Sequence, residues 1–421
     1  AGVLSIAQSA ARKDCAAALA APALTLWELA SNSGMATGVV TTARVTHATP
    51  GATFTHSPER NWENDSDLPA QAVREGCIDI ARQLVETPFG RGFDVLMGGG
   101  RKNFMPVTQR DPEEDDKVGE RLDGRDLIAD WKQRHAGGVY VWNKAQLDAA
   151  PLDKPLLALF QPDHMQFEYE RPKDTAGEPT LADMTRAAIA RLSRNGNGYV
   201  LLVEAGRIDH ANHYGNAYRA LSDTVAMSDA VRAANEATSV DDTLIIVTAD
   251  HSHVLNFAGY PQRGNPILGK VRGGSGEDDD GGLVNDGLGL PYTTLTYANG
   301  PGYTGASSSQ PAGPKRYPHM GKEYEAAHGR PDLRNVDTED PDYMQETTVP
   351  LPNETHGGED VGIWARGPGS DAIRGSVEQN AIFHFAAQAA PHLRAALCAK
   401  GLCDANGVPV ALPVVEAFKP R

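Results

Sequence analysis

The sequence has no run of apolar residues approaching the roughly 20 that a helix needs to cross a bilayer. It also has no excess of positive charge. Fifty-five acidic residues stand against 39 basic ones, for a formal charge of −16. A chain this acidic is a poor ligand for nucleic acid or an anionic membrane. Cysteine is scarce: Cys15, Cys77, Cys398 and Cys403 include no Cys-x-x-Cys pair, which argues against a zinc ribbon. We find no internal repeat. The first residue is Ala1 rather than Met, and no basic stretch or apolar leader core follows it. The expectation is that a leader has been removed or that the chain starts part-way through a longer protein.

What is present describes a large globular chain. The 421 residues are 40% hydrophobic and 22% charged, enough apolar material for a sizeable core. Length alone suggests roughly three domains, or one large α/β domain with an insertion. Short β-branched runs at 38–42, 93–97, 199–203, 244–248 and 361–364 lack inside/outside alternation, as strands buried on both faces do. Helical patterns fill 16–30, 70–86, 180–193 and 216–237. Ser376 and Gln379 read as a capping box for a helix through Ala387. The alternation predicts a mostly parallel central sheet between helices. Glycine and proline crowd residues 259–350, an irregular insertion in which Asp278-Asp279-Asp280 reads as a solvated loop. The expected division is an α/β domain over 1–258 and 351–403, the insertion over 259–350, and a tail over 404–421. Four cysteines allow three pairings. Cys398 and Cys403 are near enough in sequence to close a small loop, with Cys15–Cys77 as the long-range partner and four buried thiols as the alternative. Disulfides would place the chain in an oxidising compartment.

Several strand ends carry metal-ligand types, where α/β sheets bind their ligands. Glu204 ends one apolar strand, and Asp209 and His213 follow four residues apart, on one face of a helical turn. Carboxylate with imidazole suits zinc, and a lone carboxylate suits magnesium. Asp250, His251 and His253 follow a second strand. His356 lies on a glycine-flanked loop before a third. Near a fourth stand His47 and Thr49, whose hydroxyl suits a hard cation, and Arg60, whose fork suits a tetrahedral oxyanion.

Taken in order, the segments VTTARVTHATP, RNW, DVLMGGGRKNF, RLDGRDL, VEAGRIDHANH, AYRALSDTV, TADHSH and ETHGGEDVGIWARGP resemble the alkaline phosphatase family over most of the chain. The resemblance implies a large α/β sheet fold with an irregular crown. It implies hydrolysis of phosphate monoesters through a phosphoserine, with two zinc ions and one magnesium. By motif, Asp209, His213 and His356 resemble the ligands of the first zinc, and Asp250 and His251 those of the second. Glu204 and Thr49 resemble magnesium ligands, with His47 in the outer shell of that site, and Arg60 resembles the phosphate-clamping arginine. Cys15–Cys77 and Cys398–Cys403 fall where family disulfides lie, which fits a periplasmic or secreted protein. Some members hold calcium in a fourth site. Glu113, Phe160 and Glu178 resemble its ligands, but Gln161 stands where a carboxylate is expected. The resemblance also implies a homodimer, no membrane span and small-molecule phosphate monoesters as substrates.

The family's nucleophilic serine and a metal-bridging aspartate would precede Ala1, and no Ser or Thr here stands in a matching context. The expectation is therefore an alkaline phosphatase lacking its N-terminal portion and nearly inactive alone. The alternative is a non-catalytic relative that binds zinc or phosphate.

Overall fold

The computed structural model describes residues 2–273, 282–411 and 415–418. The Asp278–Asp280 run lies outside them. Five parallel strands form the central sheet: β1 (Ala36–Arg44), β2 (Val95–Gly99), β3 (Val139–Val141), β4 (Leu156–Leu159) and β5 (Tyr199–Glu204), in the order β3-β4-β2-β1-β5. The runs do not alternate because both faces are covered. Val39, Leu96 and Leu157 pack on one face with Ile80, Leu84 and Trp131. Val40, Val95 and Leu156 pack on the other with Met184, Ala188 and Ala230. β3 and β4 were not anticipated, since three and four residues give too short a pattern to read.

Two expected helices are broken by their own sequence. The 16–30 helix is α1 (Cys15–Ala20) and α2 (Leu26–Asn32), parted around Pro22, which has no N–H to continue the ladder. A four-residue turn, α3 (Ala48–Gly51), follows β1. The 70–86 helix is α4 (Ala70–Arg74) and α5 (Ile80–Glu86), parted at Gly76, which takes the left-handed φ of 93°. The unanticipated α6 (Leu127–Arg134) and α7 (Lys144–Ala149) bring Trp131 and Leu147 to opposite faces of the sheet. α8 (Leu181–Leu192) starts on a full capping box of Thr180 with Asp183. It packs directly on β1, where a Cβ on Gly38 would lie 2.6 Å from a Leu192 methyl. α9 (Arg207–His213) and α10 (Ala217–Ala237) follow β5. The Ser376 capping box does not form. α11 (Ala381–Ala389) starts later, and the Gln379 amide donates to the Asp250 carbonyl at 3.2 Å. α12 (Pro391–Cys398) leads into the Cys398–Cys403 disulfide, and Cys15–Cys77 forms the second.

Seven further strands are found among the described residues: β6 (Ile245–Val247), β7 (Ser252–His253), β8 (Leu255–Phe257), β9 (Leu295–Gly300), β10 (Thr347–Pro350), β11 (His356–Gly357) and β12 (Trp364–Arg366). β6 pairs antiparallel with β12, which lies a few residues later than the expected 361–364 run. β10, β9 and β8 form a three-stranded ladder. Between 259 and 350 no α-helix occurs among the described residues. Within that same set, no helix is long and apolar enough to cross a membrane.

Candidate metal centre

The ligand-type residues lie beyond the carboxyl ends of β1, β5 and β6. β5 ends on Glu204, and α9 then carries Asp209 and His213 one turn apart. β7 and β11 form a two-residue antiparallel ladder that sets His356 opposite His253 and Gly357 opposite Ser252. The approach is close enough that a Cβ on Gly357 would fall 2.3 Å from the Ser252 hydroxyl. That ladder brings segments about a hundred residues apart to the end of α9.

Around the Asp209 carboxylate the imidazoles converge. Its Oδ1 lies 3.4 Å from His213 Nε2, 3.4 Å from His356 Nε2 and 3.8 Å from His251 Nε2. His213 Nε2 and His356 Nε2 are 3.1 Å apart, and Asp250 Oδ2 is 3.4 Å from His251 Nε2. Tetrahedral zinc with ligands at about 2.0–2.1 Å holds its ligand atoms about 3.3 Å apart. The Asp209, His213 and His356 atoms already stand at that spacing, so the donor set fits zinc without rearrangement. Burial opposes the charge on Asp209, but the hydrogen bond from His253 and the nearby imidazoles hold its carboxyl well below the usual range.

Two residues outside the expected set organise this cluster. Glu354 is 1% exposed. Its carbonyl accepts from His213 Nδ1 at 2.6 Å, which fixes the tautomer that leaves the Nε2 lone pair free. Its carboxylate accepts from His253 Nδ1 at 2.7 Å and from the Val254 N–H at 2.7 Å. His253 Nε2 in turn donates to Asp209 at 3.1 Å. Burial disfavours a charged His253, yet its bonds to Asp209 and Glu354 outweigh it and raise the pKa to about 9. His253 therefore sits within reach of the cluster as a clamp between two carboxylates rather than as a lone-pair donor. The His-x-His spacing was its only signal in the sequence. Glu354 stood only as the first residue of the ETHGGED segment, with no role assigned to it.

Glu204 closes β5. Thr41 donates to its Oε2 at 2.5 Å, and the Thr49 side chain also hydrogen-bonds to it. Burial raises the Glu204 pKa against those bonds. Arg60 is half-buried, and its Nη2 donates to His47 Nε2 at 3.1 Å. His47 belongs to a second imidazole cluster with His164 and His210. Arginine donors face that cluster: Arg207 Nη1 to His210 Nδ1 at 2.9 Å, and Arg44 Nη1 to His164 Nε2 at 2.6 Å. Burial, reinforced by these cations, pushes His47 down to about 4 and the other two far lower. A metal there would compete with three guanidinium groups for the same lone pairs, so the Asp209 cluster is the candidate centre.

The calcium-type residues lie beyond the end of β4, and none of them is among the proposed zinc ligands. Burial pushes Glu113 up to about 7 and Glu178 up to about 8. Phe160 is buried beside them at the end of β4. Of the hydroxyls near the candidate centre, Thr41 donates to Glu204 and Ser252 to Glu359, while Thr42 accepts the Arg207 N–H at 3.2 Å.

Comparison with known proteins identifies the family of the chain. A family model described as alkaline phosphatase matches residues 5–392. The tissue-nonspecific alkaline phosphatase of Felis catus is 40% identical over 398 residues, covering 92% of this chain and 69% of that protein. An alkaline phosphatase of Gadus morhua is 38% identical over 396 residues, covering 92% and 76%. A histidine-to-glutamate variant of the alkaline phosphatase from the Antarctic bacterium TAB5, solved with magnesium, shares the fold at 18% identity. That match covers 91% of this chain and 77% of the other, with a TM-score of 0.52. The class is thus an α/β hydrolytic fold that carries candidate metal-binding carboxylate–imidazole groups. The chain belongs to the alkaline phosphatase family, metal-dependent enzymes that hydrolyse phosphate monoesters to an alcohol and inorganic phosphate.

Proposed function

We propose that Asp209, His213 and His356 hold one zinc ion and that Asp250 and His251 contribute to a second. In this reading Glu204 and Thr49 hold magnesium, with His47 in its outer shell, and the centre acts on phosphate monoesters. The observation that carries the proposal is the 3.1–3.4 Å spacing of the Asp209, His213 and His356 ligand atoms. Metals bound there would supply Lewis-acid stabilisation of phosphoryl and leaving-group oxygens. The chain's own residues position and neutralise. Arg60 offers two parallel donors to a phosphoryl group, with one nitrogen oriented by His47. Glu354 fixes the ring of His213, and Thr41 fixes the carboxylate of Glu204. Most of phosphoryl-transfer catalysis is such positioning. The Thr41 and Ser252 hydroxyls each donate to a carboxylate, Glu204 and Glu359 respectively. The two disulfides support an exported, periplasmic or secreted protein, and the family resemblance supports a homodimer.

The test is metal content and phosphate binding together. The gently purified chain should retain about two zinc ions per molecule, with affinities typical of structural sites. Asp209→Asn should lose most of that zinc while the far-UV spectrum is unchanged. Arg60→Ala should keep the zinc and weaken inorganic phosphate at least tenfold. Zinc binding that survives Asp209→Asn would sink the assignment.

A further inference from the structure

The lobe beside β4 carries the calcium-type residues, and its polar groups do not leave a cation's place open. Gln161 is 4% exposed, and its Nε2 donates to Glu113 Oε1 at 3.0 Å. The same side chain lies near Glu178 and favours its charged form. The other Glu113 oxygen accepts from Arg101 Nη2 at 2.7 Å. Arg101 is fully buried, grips Asp111 with two further bonds of 2.6 and 2.7 Å, and gives Nη1 to the Leu159 carbonyl at 2.7 Å. Both Glu178 oxygens lie 3.1 Å from the Gln166 N–H.

Calcium takes six to eight oxygen ligands at about 2.3–2.6 Å. Here each Glu113 oxygen already accepts from an N–H donor, and one donor is a guanidinium that would repel the ion. Among the described residues, Asp174 Oδ2 is a buried carboxylate oxygen here without a hydrogen-bond partner, and a single such oxygen does not make a site. We infer that the Gln161 amide takes the place of a cation here, donating to Glu113 and lying between it and Glu178, so that these carboxylates are held without calcium. A carboxylate at 161 would reverse this. It would remove the donor to Glu113 and add an oxygen ligand at the same point.

The inference does not depend on the zinc assignment, because the lobe shares none of those residues. It is tested on the full zinc-loaded chain by calorimetric titration with calcium chloride and by thermal unfolding with and without the ion. The expected result is no calcium bound in the lobe and no shift in the midpoint. Gln161→Glu should gain one bound calcium per chain and a midpoint that rises with calcium by several degrees. Gln161→Leu should lower the midpoint by an amount that calcium does not restore. Calcium binding by the unaltered chain that is abolished in Glu178→Gln would overturn the inference. So would a Gln161→Glu chain, folded by circular dichroism, that binds no more calcium than the parent.

Discussion

At the scale of single residues, Glu354 governs more of the candidate centre than any one ligand-type side chain. Its backbone carbonyl and its carboxylate each fix a different imidazole, and both of its side-chain oxygens act as acceptors. Glutamine at this position has the same size but only one acceptor oxygen. Its NH2 group would face either the Val254 N–H or His253 Nδ1, a clash of donors. Glu354→Gln should weaken zinc binding by about 10–100-fold, the usual cost of losing an orienting partner behind a ligand. Competition with a chromophoric chelator reads this directly, and unchanged affinity would mean that Glu354 is only a packing residue. The ligand-type residues themselves were legible in the sequence because carboxylates and imidazoles clustered after apolar strands are rare for any other reason. Glu354 was not, because an acceptor has no local pattern: its importance lies in which N–H groups another segment aims at it.

At the scale of elements, reading followed length and capping. α8 and α10 were anticipated nearly to the residue, since each repeats its helical pattern over at least three turns. The 70–86 pattern was read through Gly76 because apolar stripes on two short helices can share a period by accident. Gln379 was assigned to a cap, yet its amide serves the Asp250 carbonyl, a partner 129 positions away. The α8 start is where local chemistry and tertiary packing agree, so its cap should be measurable. Thr180→Ala removes the acceptor for the Asp183 N–H. It should cost about 1 kcal/mol in denaturant unfolding with the m-value unchanged. A loss near zero would show that packing against β1 and α10 alone fixes the helix start.

At the scale of the whole molecule, the Cys15–Cys77 disulfide closes a loop of sequence separation 62. Within that loop lie β1, α3 and the Arg60 segment, and the bridge packs against Trp62. Replacing both cysteines with serine should lower stability by about 2–4 kcal/mol, chiefly through the freed unfolded chain. It should also weaken phosphate binding more than zinc binding, because Arg60 lies inside the loop and Asp209, His213 and His356 lie outside it. Equal losses in both would argue that the bridge supports the fold as a whole rather than the arginine.

The sequence by itself determined which ligand-type side chains cluster after apolar strands, that strands alternate with helices, and that the strands are covered on both faces. These follow from residue type and period, which are properties of neighbouring positions. Only the tertiary structure decided that a two-residue ladder sets His356 beside His253 and against α9. It likewise set β6 with β12 rather than in the five-stranded sheet, and turned the Gln161 amide onto the Glu113 carboxylate. Those facts depend on distances between segments far apart in the chain, and such distances are fixed by packing around the sheet rather than by any stretch of sequence read alone.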